Sequence, residues 1–271
     1  MYISAGCTRA PAITRPERGG SMYQNYIFDL YGTLIDIRTD ESSLGFWRKV
    51  VSIYARGRAS YSPSELKLAY RRAVRAELWR ERLRHPLWRN RDIDLLEVFR
   101  RLYTAKGINA DDYLLLDTAR RFRKASTLRL RLYDGVKELL DALKEQGKHI
   151  YLLSNAQECF TIPELEEVGI FDYFDGIMIS SQERICKPQK LFFDKLIEKY
   201  DLDRSQSIMI GNDQFSDMLG AKEAGIDALY IHQEISTPVA GEEEIDAKYK
   251  IMDGDVRKIR ELILLPAEVA S

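Results

Sequence analysis

The sequence predicts an α/β protein: a doubly wound, Rossmann-like parallel sheet, interrupted after its first strand by a helical insertion. Three observations carry this reading. From residue 134 onward, short apolar runs alternate with amphipathic stretches of helical length, the pattern of parallel sheets with right-handed crossovers. Residues 37–133 instead show helical periodicity throughout. Charge divides at the same places: residues 37–133 hold 23 Lys+Arg against 11 Asp+Glu, and residues 134–271 hold 15 against 28, although the 271-residue chain nets only −1. The expected organisation is a core of residues 22–36 and 134–271 with an all-helical insertion of residues 37–133.

Composition narrows the class. With 45% apolar and 31% charged residues the chain can bury a real core, and no run approaches the roughly 18 apolar residues that a membrane span needs. Cys7, Cys159 and Cys186 are odd in number and scattered, so neither a disulfide framework nor a CxxC metal site is expected. A reducing, cytoplasmic setting follows as the expectation.

Residues 1–21 carry Arg9, Arg15 and Arg18 and lack the apolar segment of a secretory signal. They are expected to be a disordered extension ahead of a second start at Met22. Tyr26-Ile27-Phe28 predicts a buried strand stopping at Asp29, and Tyr31-Gly32-Thr33 a turn. Within the insertion, helices are expected over Leu44–Ala55, Pro63–Leu83, Ile93–Ala105 and Asp111–Ala125. Ser62-Pro63-Ser64-Glu65 is a helix start with a capping Ser, while His85-Pro86 and Gly107 are stops. After Asp134-Gly135, helices are expected at Val136–Gln146, Lys190–Tyr200 and Met218–Ala224, and strands at His149–Leu153, Gly176–Ile179, Ser207–Ile210 and Ala228–Ile231.

In such a sheet the working groups gather at the carboxyl ends of the strands. Four ends here carry polar residues in chain order: Asp29, Ser154-Asn155, Lys187, and Asp213 with Asp217. Singly, each has an ordinary explanation as a helix cap, a turn acid or a surface lysine. Jointly they form a constellation.

That constellation resembles the haloacid dehalogenase superfamily, over nearly everything from Tyr23 to about Ile263. The four motifs read Asp29-Leu30-Tyr31-Gly32-Thr33-Leu34, Leu152-Leu153-Ser154-Asn155, Lys187-Pro188, and Gly211-Asn212-Asp213-Gln214-Phe215-Ser216-Asp217, followed by Gly220-Ala221-Lys222-Glu223-Ala224-Gly225. The resemblance implies Asp29 as a nucleophile forming a covalent aspartyl intermediate, with Lys187 supplying compensating charge. It implies Mg²⁺ held by Asp29, the Tyr31 carbonyl and Asp213, with Asp217 as a further ligand or supporting acid. Ser154, Asn155, Thr33 and Tyr31 would contact the substrate or fix its loop, and residues 37–133 would be a type 1 cap, a helical lid.

One position departs from the family's phosphatases. The second Asp, two residues after the nucleophile, is Tyr31 here, and a phenol near pKa 10 is a poor general acid at neutral pH. Asp-x-Tyr-Gly-Thr looks like the 2-haloacid dehalogenases, whose halide leaves without a proton, whereas Gly-Asn-Asp-x-x-x-Asp looks like the magnesium-binding phosphatases. Extra carboxylates beside a carboxylate nucleophile call for a cation, so hydrolysis of a small phosphorylated metabolite is the expected activity. Dehalogenation, with Trp47-Arg48 as the candidate source of the arginine that such a site needs, and a non-catalytic binding module are the competing classes. The expected partner is a small anionic molecule, drawn toward the basic insertion with its Arg71-Arg72-Arg75 and Arg80-Arg82-Arg84 stripes. No nucleic-acid-binding motif accompanies Tyr61, Tyr70, Trp79 and Trp88, and His85, His149 and His232 have no matching ligand partners.

Overall fold

A computed structural model describes residues 23–264; the extension expected at residues 1–21 lies outside the described residues. Six parallel strands form the central sheet: β1 (Asn25–Phe28), β4 (His149–Ser154), β5 (Gly176–Ile179), β6 (Ser207–Gly211), β7 (Asp227–Ile231) and β8 (Tyr249–Ile251). Their spatial order is β5-β4-β1-β6-β7-β8. The chain leaves β1 for β4 on one side and then crosses to β6 on the other. The reversal opens a crevice above the carboxyl ends of β1, β4 and β6.

The strands read as continuous apolar runs because both faces of the sheet are covered. Side chains alternate between the faces with period two. Phe28, Ile150, Leu152, Ile208 and Ile210 face one core with Leu139 and Leu143 of α5 (Val136–Glu145), Leu165 of α6 (Glu158–Val168) and Ile259 of α10 (Arg257–Ile263). Ile27, Tyr151, Leu153 and Met209 face the other, against Phe192, Phe193 and Leu196 of α8 (Lys190–Tyr200) and Ala221 of α9 (Leu219–Ala224). Among the described residues no helix is long and apolar enough to cross a membrane.

The four expected helices form as α1 (Leu44–Arg56), α2 (Pro63–Arg84), α3 (Leu95–Thr104) and α4 (Asp112–Ser126). Ser62 caps α2 in a reciprocal capping box with Glu65, with Pro63 in the first turn. The helices share an aromatic core centred on Phe122, whose ring lies 5.0 Å from Phe46, 5.2 Å from Phe99 and 5.6 Å from Tyr70. The stripe arginines divide: Arg80 and Arg84 pair with Glu77 and Glu81, while Arg71, Arg72 and Arg75 are exposed and in no ion pair among the described residues.

The insertion is not all helical. Residues Ile35–Thr39 (β2) and Thr127–Leu132 (β3) pair antiparallel, as a ribbon through which the chain enters and leaves the helices. The alternation Leu128-Arg129-Leu130-Arg131-Leu132 is a strand pattern, and as a ribbon it places Leu130 and Leu132 against the sheet's core. The helix expected from Met218 starts at Leu219, after a wide, π-type turn over Gln214–Met218.

Candidate active site

Asp29 follows β1 directly, and Ser154 is the last residue of β4. Lys187 lies in the loop after α7 (Ser180–Glu183), and Asp213 follows β6 by two residues. The fold therefore delivers all four segments to one crevice of about 270 Å³, lined by Asp29, Tyr31, Ser154, Asn155, Lys187, Asp213 and Asp217 together with Asn212, Ser216 and Ile235. A larger hollow of about 1000 Å³ lies between α5 and α10, and none of the expected site residues lines it. Size does not mark the chemistry here; the convergence of charged groups does.

Lys187 is the hub. Its buried Nζ lies 2.6 Å from Asp29 Oδ1 and 2.6 Å from Asp217 Oδ1. Burial pulls the ammonium's pKa down, but Asp217 and Asp29 more than offset this and the net shift is upward, so Lys187 stays charged. Asp217 is pushed up to about 6, first by burial and then by Asp29, with Lys187 opposing. Asn155 brackets the lysine's backbone: its Nδ2 donates to the Lys187 carbonyl at 3.1 Å, and its Oδ1 accepts from the Lys187 amide at 2.8 Å. Ser154 Oγ donates to Asp29 Oδ1 at 3.3 Å.

The two acids after β6 have different positions. Asp217 Oδ2 accepts from the amides of Asn212 and Asp213, both at 3.1 Å, and Oδ1 faces Lys187. Both oxygens are thus engaged inside the protein, which makes Asp217 a support for the lysine and the loop. Asp213 Oδ1 accepts from the amides of Phe215 and Ser216, and Oδ2 from the hydroxyl of Thr237 at 2.7 Å. Gly211 is required beneath them, because a Cβ there would run into the Asp217 carboxylate.

Thr33, expected near the substrate, is fully buried and does not line the crevice; its hydroxyl donates to Asn212 Oδ1 at 3.4 Å and ties the first loop to the fourth. Gly32 beside it has φ +86°, and a Cβ would collide with the Asn212 side chain. Trp47-Arg48 supplies no arginine to the crevice: Trp47 is buried in the helical core with Nε1 on the Glu41 carbonyl, and Arg48 is exposed and outside the crevice.

Tyr31 turns its hydroxyl away from the nucleophile. The phenol donates to Glu164 Oε2 at 2.5 Å and lies 3.2 Å from Thr161 Oγ1, both on α6. Burial raises its pKa first, Glu164 adds to the rise, and Arg123 opposes it. Glu164 is itself gripped by Arg123 of α4, at 2.6 and 3.3 Å, and the guanidinium lies 5.5 Å from the Tyr31 ring centre and 5.1 Å from that of Phe160. Glu164, Arg123, Ser216, Ile235 and Thr237 were not expected from the sequence. Arg123 meets Glu164 across 41 residues and Thr237 meets Asp213 across 24, so no local pattern marks them, whereas Ser216 lies inside the fourth motif and donates its amide to Asp213.

The donor set fits a hard divalent cation. Two carboxylates, Asp29 and Asp217, meet one ammonium and a third, Asp213, lines the same crevice, an arrangement that is repulsive without further positive charge. No group of three or more His, Cys, Asp and Glu forms a ready cage among the described residues. A cation here would draw on two carboxylates, a carbonyl and water, as Mg²⁺ does and Zn²⁺ does not.

Comparison with known proteins identifies the family. The family model of the haloacid dehalogenase-like hydrolases matches residues 23–225. A phosphoglycolate phosphatase of Agrobacterium fabrum is 30% identical over 205 residues, 75% of this chain and 78% of that protein. The HAD-hydrolase YfnB of Bacillus subtilis is 24% identical over 241 residues, 89% of this chain and 94% of that one. The match to the pyrimidine 5'-nucleotidase PynA of Streptococcus pneumoniae is 28% identical and covers 49% of this chain but only 55% of that relative's length. Among solved structures, a 2-haloacid dehalogenase from Pseudomonas syringae superimposes with TM-score 0.60 at 17% identity, over 89% of this chain and 97% of that one. Magnesium-bound YfnB does so with TM-score 0.52 at 20% identity, over 90% and 99%. At these identities the structural likeness establishes the fold.

Proposed function

The chain belongs to the haloacid dehalogenase-like hydrolases, and on that premise we propose that it is a Mg²⁺-dependent phosphohydrolase of small phosphorylated metabolites. The observation that carries the reading is the set of three carboxylates in one crevice, Asp29 and Asp217 on the ammonium of Lys187 and Asp213 beside them in the lining. A halide-displacing site needs one carboxylate. Two more are a liability unless a cation and a phosphoryl group are to be held. Relatives named as phosphoglycolate phosphatase and pyrimidine 5'-nucleotidase support the phosphate class, and YfnB's bound magnesium supports the metal.

In this reading Asp29 attacks phosphorus in line with the leaving group and forms an aspartyl phosphate, which water then cleaves. Lys187 orients Asp29 and faces the incoming phosphoryl charge. Ser154 Oγ and the Asn155 amide would take the phosphoryl oxygens. Asp29, Asp213 and the Tyr31 carbonyl would hold Mg²⁺, which supplies charge neutralisation to the phosphoryl oxygens when bound. The crevice of about 270 Å³ admits a small substrate. Cys159 and Cys186 are free thiols, which supports a reducing compartment such as the cytoplasm.

Dehalogenation has one observation in its favour, a tyrosine two residues after the nucleophile. The test is phosphate release from 4-nitrophenyl phosphate with and without Mg²⁺, with Asp29→Asn as the blank, alongside chloride release from 2-chloropropionate. Phosphate release that requires both Mg²⁺ and Asp29 is expected. Chloride release without phosphate release would overturn the reading.

A further inference from the structure

We infer that this site is built for phosphoryl groups whose leaving group departs as a stable anion, acyl phosphates above all, and not for phosphate esters of ordinary alcohols. The inference rests on the phosphohydrolase reading and narrows its substrate class.

When Asp29 attacks, the bond from phosphorus to the leaving oxygen breaks and both electrons go to that oxygen. An alkoxide, about as basic as hydroxide, must receive a proton in the same step, and a positioned acid is worth about 10² to 10⁴ in rate. No histidine, cysteine or glutamate lines the crevice among the described residues. Asp29 is the attacking group. Asp217 has its oxygens on Lys187 and two backbone amides, and Asp213 accepts from two amides and Thr237. Lys187 is paired with the carboxylates of Asp29 and Asp217 and serves as positive charge toward the phosphoryl group, not as a proton source.

That leaves Tyr31, and its hydrogen is directed elsewhere. The phenol donates at 2.5 Å to Oε2 of Glu164, a buried carboxylate that Arg123 also holds through both oxygens. Turning toward a leaving group would strip a buried carboxylate of one of its donors. The phenol is therefore a strut between the nucleophile loop and α6.

An acyl phosphate needs no such acid, because its leaving group is a carboxylate with a pKa near 4. The steps balance without one. Asp29 bonds to phosphorus as the carboxylate leaves. Water then adds to phosphorus, the Asp29–phosphorus bond breaks, and both water protons remain on the phosphate product. This preference would set the chain apart from relatives named for phosphoglycolate and pyrimidine nucleotides, which are alcohol esters.

The experiment is a leaving-group series on the full chain with Mg²⁺: acetyl phosphate, 4-nitrophenyl phosphate, phenyl phosphate and glycerol phosphate. The expected kcat/KM falls along that order, by 10²-fold or more from acetyl to glycerol phosphate. Tyr31→Phe is expected to keep the same dependence on leaving group, and Tyr31→Asp to flatten it by raising the alcohol esters relative to 4-nitrophenyl phosphate. Turnover of glycerol phosphate within tenfold of acetyl phosphate would overturn the inference while leaving the phosphohydrolase reading intact. So would a Phe variant that selectively loses the alcohol esters, since the phenol would then be the acid. Hydrolysis of none of the four would remove the reading and the inference together.

Discussion

Glu164 and Arg123 make the least expected interaction in the molecule, and breaking it has a calculable cost. Their side chains are 5% and 17% exposed, and the pair joins α6 of the sheet layer to α4 of the insertion while Glu164 also receives the Tyr31 phenol. Removing one partner of a buried pair costs about 3 to 5 kcal/mol because the other charge stays buried. Arg123 keeps some solvent contact, which puts Arg123→Met at the low end, about 3 kcal/mol. Glu164→Gln keeps an acceptor but loses charge assistance, about 1.5 kcal/mol. In the double variant no uncompensated charge remains. Its cost should be about 2.5 kcal/mol rather than the additive 4.5, a coupling near 2 kcal/mol. Thermal unfolding reads this directly, at roughly 2 to 4 °C per kcal/mol for a chain of this size. Additivity within about 0.5 kcal/mol would refute the argument, because the two side chains would then act independently.

Two further outcomes follow from single positions. Gly32→Ala should lower stability by at least about 1 to 2 kcal/mol, since the residue sits at φ +86° and its Cβ meets the Asn212 side chain. It should also cut turnover of 4-nitrophenyl phosphate by around 10²-fold by displacing the loops that carry Asp29 and Asp213, and full activity would contradict the packing described. Asp92, at the junction between the insertion and the sheet layer, has its pKa raised above the ordinary 3.8, mainly by burial and against hydrogen bonds that include Ser180 Oγ. A raised folded value contributes stability below pH 3.8 that is lost as pH climbs through that value. Denaturant titrations of wild type and Asp92→Asn across that window should therefore show the wild type losing ground to the variant with rising pH, and a flat difference would exclude burial as the cause.

What the sequence disclosed follows from how local each signal is. Residues 150–153 and 208–210, the interiors of strands His149–Ser154 and Ser207–Gly211, are apolar runs because helices cover both sheet faces. The motif residues Asp29, Ser154, Lys187 and Asp213 meet because the parallel topology brings the strand ends together, which alternation alone predicts. The ribbon was missed because Thr127–Leu132 follows α4 without a break, and its alternating leucines and arginines were absorbed into a helical segment. The helix Glu158–Val168 carries Pro163 in its interior, and β8 has only three residues. Thr237 reaches Asp213 across 24 residues and Arg123 reaches Glu164 across 41, and no local pattern encodes either contact. Thr33, a motif residue expected to contact the substrate or fix its loop, does the second by bracing Asn212.

The central claim is that Asp29 becomes covalently phosphorylated, and acid quenching during turnover tests it most directly. The chain would be mixed with acetyl phosphate and Mg²⁺, quenched in acid within milliseconds, digested, and analysed by mass. The account predicts one added phosphoryl group on the peptide containing Asp29, labile to hydroxylamine, and absent without Mg²⁺ or in Asp29→Asn. Phosphate released at full rate with no adduct on that peptide, or with an adduct elsewhere, would contradict it.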